Sequence, residues 1–224
     1  MTDVELTVRG SHRLFHPAER ATVHGRVGLE GDDAGRVYNA VVEQAQRVRA
    51  SVTALHDPAH GPVTWWSAQD VRTWAQRPWN QDGKQLPLVH HARTELRVKF
   101  RDFAALAGWL TEMSGVAGFG VDRVEWALTA DREREMVRTA RTRAVAEARA
   151  KAQAYADALG LGEVRALALA DAGMLEQGLH PQEGGAVAFA RASAGGGTGD
   201  LQLLPEDIEI AAHVDARFTA GPRA

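Results

Sequence analysis

The amino-acid sequence predicts an α+β fold, a largely antiparallel sheet with helices packed on one face, in the order ββαββαβαββ. Three observations carry this. Short stretches of strict apolar–polar alternation recur along the chain. Three segments switch instead to apolar residues every third or fourth position. Strands follow one another directly as often as through helices, so the strict strand–helix alternation of a parallel sheet is absent and hairpins are expected.

The elements read in order. "VELTVRG" sets Val4, Leu6 and Val8 on one face against Glu5, Thr7 and Arg9, a strand from residue 3. Gly10, Ser11 and Pro17 mark the link to a second strand at about residues 19–30, where Ala21, Val23, Gly25, Val27 and Leu29 alternate with polar neighbours. Asp32 or Asp33 can cap the first helix, whose inward stripe is Val37, Val41, Ala45, Val48, Val52 and Leu55. Pro58, Gly61 and Pro62 end it. Residues 63–77 are rich in β-branched and aromatic residues and predict one strand. Asp82-Gly83 signals a hairpin turn. In residues 88–101, Leu96, Val98 and Phe100 alternate with Arg97, Lys99 and Arg101.

A short helix follows, capped by Asp102 and facing inward through Phe103, Leu106 and Leu110 with Ala107 beside them. "GFGVDRVEWALT" is the next strand. The longest helix is expected at about 131–159, with Val137, Ala140, Ala144, Ala148, Ala152, Tyr155 and Leu159 inward and Gly160 as its stop. Strands at 163–170 and 206–219 complete the set. Between them, residues 173–199 are Gly/Ala-rich and read as a mobile loop. No linker divides the chain, so a single domain spanning 3–219 is expected, with two lobes at about 3–80 and 88–219.

Composition excludes several functions. The chain of 224 residues has no cysteine, which removes disulfides, thiolate catalysis and Cys-based metal sites. Its formal charge of −3 offers no basic field for nucleic acid. The basic residues of the long helix alternate with Glu133, Glu135, Glu147 and Asp157, a pattern of internal ion pairing. No run of eighteen apolar residues occurs, so no membrane insertion is expected. The start "MTDVELTVRG" lacks a basic and an apolar region, so a cytoplasmic location is expected.

No residue set names a reaction. His12 and His16, and His56 and His60, are spaced by four, but Pro58 breaks the helix that would align the second pair, and His90 and His91 point to opposite faces of a strand. "SAGGGTGD" lacks the Lys-Ser/Thr of a phosphate loop, and "GVAGFG" leads into a strand rather than a helix. Asp207 and Glu209 share a strand face with nothing to shift either carboxyl. No catalytic residue, metal or cofactor is expected.

The tryptophans are the conspicuous feature. "WWSAQDVRTWAQRPW" holds Trp65, Trp66, Trp74 and Trp79, four of the six in the chain. Trp65 and Trp66 must face opposite sides of a strand, and Pro78 places this strand at an edge or an end. An edge with exposed tryptophan needs a cover, and tryptophan is enriched at interface hot spots. These four are therefore expected to form a subunit interface of a homo-oligomer, or of a complex with another protein. The rivals are ordinary core and lobe packing of these aromatics, and a small-molecule-binding module or enzyme with a tryptophan-lined pocket near Trp65, Trp66 and His90.

Three segments also carry a resemblance: "VELTVRG" with "ERATVHGRVGLEG"; "RTWAQRPWNQDG" with "ARTELRVKFRDFAALAGWLTEM"; and "ARTRAVAEARAKAQAYADALGLGEVRALALAD". In this order and spacing the chain resembles the SIMPL-domain family over residues 3–219. The last segment is the most specific, small residues every third or fourth position and then K-A-x-x-Y-A-x-x-L-G-L before a strand. The resemblance implies an α+β fold, large ring-like or channel-like oligomers in some bacterial members, and a loose link to stress tolerance. It brings no catalytic residue. Many bacterial members carry a signal peptide, and the family often has Gly-Tyr where this chain has Val89-His90-His91.

Overall fold

The computed structural model describes residues 3–79, 81, 85–175 and 205–223. The elements are β1 (Val4–His16), β2 (Arg20–Gly31), α1 (Ala34–Leu55), β3 (Val63–Ala68), β4 (Arg72–Gln76), β5 (Val89–Phe100), α2 (Phe103–Met113), β6 (Phe119–Ala127), α3 (Ala130–Ala158), β7 (Arg165–Asp171) and β8 (Ile208–Ala220). The class is α+β and every strand ladder is antiparallel. The pairing is divided between two sheets, not one. The reason is β1, which pairs along its whole length with β8, from Val4↔Ala220 to His16↔Ile208, and not with its neighbour β2.

Contacts therefore group the chain otherwise than as the sequential lobes 3–80 and 88–219. One compact unit holds β1, α3, β7 and β8; the other holds β2 to β6 with α1 and α2. In the first, the sheet order is β1-β8-β7. Its core is Val8, Val214, Ala216 and Phe218 against Ala144, Ala148, Ala152 and Ala156 of α3. Alanine keeps the helix surface low, and Gly10 lets it come closer still. A Cβ on Gly10 would lie 2.7 Å from the Ala148 nitrogen and nearer yet to the Ala144 carbonyl oxygen. The expected stripe of α3 holds at its alanines, but Tyr155 and Leu159 are exposed. Ala156 takes the inward position, because the buried positions step by four from Ala140 onward.

In the second unit the sheet order is β3-β5-β2-β6, with β4 also on β5, so β3 and β4 share one side of that strand. The single strand expected at 63–77 is thus two. Gln69 separates them while staying tied to β5: its N–H donates to the Glu95 carbonyl at 2.8 Å, and its carbonyl accepts from the Thr94 hydroxyl at 2.7 Å. α1 buries Val37, Val41, Ala45, Val48 and Val52 as its spacing predicts, and Asp33 caps it by accepting from the Arg36 N–H at 2.8 Å. α2 buries Leu106 and Leu110 together with Trp109 and Met113. Trp109 donates to the Ser51 hydroxyl at 3.0 Å and meets Phe100 and Phe119 ring to ring. Both helices join the same core, against Val23, Val27, Val98 and Phe100. The helices cover one face of this sheet, and among the described residues no helix packs on the other, which carries the candidate site. The hairpin signal Asp82-Gly83 and the loop 173–199, apart from residues 173–175, lie outside the described residues.

Candidate functional site

The face of the five-stranded sheet away from α1 and α2 is built by alternation. Along β5, Ala92, Thr94, Leu96, Val98 and Phe100 are buried, so His91, Arg93, Glu95, Arg97 and Lys99 point to the other side. The register then places each neighbour. Trp65 lies opposite Lys99, whose ammonium sits 5.9 Å from the indole centroid. Trp74 lies opposite His91 and stacks on it, with centroids 5.0 Å apart and planes 6° from parallel. Trp65 is 45% exposed and Trp74 46%. Trp66, one residue on from Trp65, turns inward and packs against the core. Trp79, beyond the end of β4, is 80% exposed.

The structure thus brings three of the four tryptophans to the surface and sends one inside. It does not gather them. Lys99 and His91 are eight residues apart on β5, so Trp65 and Trp74 stand roughly 27 Å apart at about 3.4 Å per residue. His90 is on the opposite face from both, its neighbour His91 being outward. Trp65, Trp66 and His90 therefore do not line one pocket. A cavity of about 250 Å³ does lie beside Trp74, lined by Gln69, Asp70, Arg72, Trp74, Arg93 and Glu95.

Between the two tryptophans the face is charged. Arg26 pairs with Asp122. Arg93 reaches Glu95 at 3.2 Å and Asp122 at 3.4 Å. Glu125 accepts from His24 at 3.0 Å and from Arg123 at 3.1 Å. Burial pushes the Glu125 carboxyl up, but the bonds and charges of His24 and Arg123 outweigh it and hold it below the usual range. A second cavity, of about 440 Å³, opens among these groups.

At the edge, β4 is exposed at all five of its residues. One side bonds β5; among the described residues no strand pairs with the other. An open ladder with a flat aromatic beside it can bind another strand. Among the described residues, no three His, Asp or Glu side chains converge as a metal site, and no helix is long and apolar enough to cross a membrane. The long helix carries internal ion pairs, as its charge pattern predicts: Arg132–Glu135 and Lys151–Glu147, and also Arg134–Asp131. Sequence reasoning missed the charged basin, because its members come from four strands whose register no local pattern reveals. The alternation of "HHARTELRVKF" could have shown that His91, Arg93, Glu95, Arg97 and Lys99 share one face.

Two antiparallel sheets, each packed on one side against helix, make this an α+β protein whose five-stranded sheet carries an aromatic and charged face. The family model of SIMPL, described as a protein of unknown function (DUF541), matches residues 6–218, and the chain belongs to this family. Comparison with curated proteins finds no significant match.

Proposed function

We propose that this chain is a non-catalytic self-assembly module, in which the open edge of β4 meets a second copy of the protein. The observation that carries the reading is a strand exposed at every residue, with one ladder side unpaired among the described residues and Trp74 held flat beside it. Unpaired edges are normally shortened, charged or covered. β4 is short, but its sequence "RTWAQ" carries only one charge. Antiparallel pairing of β4 with its counterpart would satisfy the free amides and carbonyls. Trp74 and Trp79 would supply the desolvated anchors that dominate such interfaces. Trp65, at the far end of the face, is assigned to this contact only if the partner reaches across the sheet.

Hydrogen exchange read at several protein concentrations tests this. The amides of Arg72–Gln76 should become more protected as concentration rises, and Trp74→Ala should remove that dependence. Exchange independent of concentration would sink the edge contact. The cavity beside Trp74 would then favour a small polar ligand as the occupant of this surface.

A further inference from the structure

We propose that the charged basin at the centre of the five-stranded sheet is an oxyanion-binding site, its ligand a phosphate group held chiefly by Arg97. The site is built by register. Ser67 lies opposite Arg97, Arg97 opposite His24, and His24 opposite Arg123, so one row crosses β3, β5, β2 and β6 on the same face. Side chains directly opposite on neighbouring strands are about 5 Å apart, so the row is a set of near neighbours. Glu125 joins His24 and Arg123 by accepting from both. Among the described residues no carboxylate reaches Arg97. Four guanidiniums face this region, from Arg26, Arg93, Arg97 and Arg123. Asp122, Glu95 and Glu125 answer three of them, and among the described residues Arg97 makes no ion pair.

Polar groups with no protein partner lie around that guanidinium, two of them open to solvent. The Ser67 hydroxyl and the Gln69 carboxamide make no hydrogen bond among the described residues, and the Nε of Arg93 is buried with no partner. All of these residues line the 440 Å³ cavity, large enough for a tetrahedral oxyanion. Glu95 and Asp122 also line it, but their charges are already met by Arg93 and Arg26. A ligand rich in acceptors and carrying negative charge completes the set, and a guanidinium binds it through two parallel N–H donors. The group could be free phosphate or the end of a phosphomonoester.

Calorimetric titration with inorganic phosphate, at constant ionic strength in chloride buffer, decides the matter. Saturable binding with a dissociation constant on the order of 1 mM is expected. Arg97→Gln should weaken it by about tenfold, the loss of one charge-assisted contact. Arg97 is exposed, so the variant should melt as the parent does. Arg47→Gln, on the surface of α1 where Arg47 meets Glu43, should bind as the parent does. Trp74→Ala should also bind normally, which separates this site from the assembly contact. Tighter binding of glycerol phosphate would identify a phosphomonoester; tighter binding of inorganic phosphate, the free ion. No saturable heat, or equal losses in Arg97→Gln and Arg47→Gln, would overturn the proposal.

Discussion

Asp215 shows how one residue can hold a surface together. It lies on the face of the three-stranded sheet away from α3, yet it is only 6% exposed. Arg9, directly opposite on β1, donates to both of its oxygens at 2.6 and 3.0 Å, and the Gly173 N–H donates at 2.6 Å. Gly173 has φ +84°, a conformation that suits glycine, at the turn where β7 ends. The bonds from Arg9 hold the Asp215 carboxyl below its ordinary value near 3.8, against burial, which raises it, and with help from Gly173. Folding depresses this pKa, so the stabilisation is complete above the ordinary value and is lost as pH falls through the folded one. Asp215→Ala should cost about 1–2 kcal/mol at neutral pH, reduced from a fully buried pair because Arg9 is half exposed. In denaturant melts, the gap between parent and variant should shrink as the pH drops below about 4. A gap that stays constant with pH would assign the loss to packing instead.

At the scale of elements, the contact of α3 with β1 is the sharpest constraint. Gly10 and the alanines at 144 and 148 leave no room between helix and strand. Gly10→Ala should therefore destabilise by roughly 2–3 kcal/mol, since neither backbone can yield without moving the other. A thermal melt would read this as a fall of several degrees, and an unchanged melting temperature would refute the close approach. The elements themselves were largely legible. Alternation marked β1, β2, β5 and β8, and the valines of α1 fell on the buried face. What local pattern does not encode is pairing. Nothing in "VELTVRG" says that its partner lies two hundred residues away in β8, and this choice divides one expected sheet into two. The same blindness hid the candidate site. The inward turn of one residue in Trp65-Trp66 followed from the period of a strand, and the structure assigns it to Trp66. The 27 Å that separate Trp65 and Trp74, and the row from Ser67 to Arg123, follow only from register. The break at Gln69 was unreadable for a different reason, because a tertiary partner, the Thr94 hydroxyl, sets it.

For the whole molecule, the proposed assembly requires that a second copy cover the β4 edge, Trp74 and Trp79. The chain belongs to a family of unknown function, so assembly is the property on which further work would rest. Absolute mass by size-exclusion chromatography with light scattering, over a range of concentrations, tests it most directly. The expected mass is a multiple of 24.2 kDa at high concentration, falling toward 24.2 kDa on dilution or in Trp74→Ala. A mass of 24.2 kDa at every concentration would contradict it.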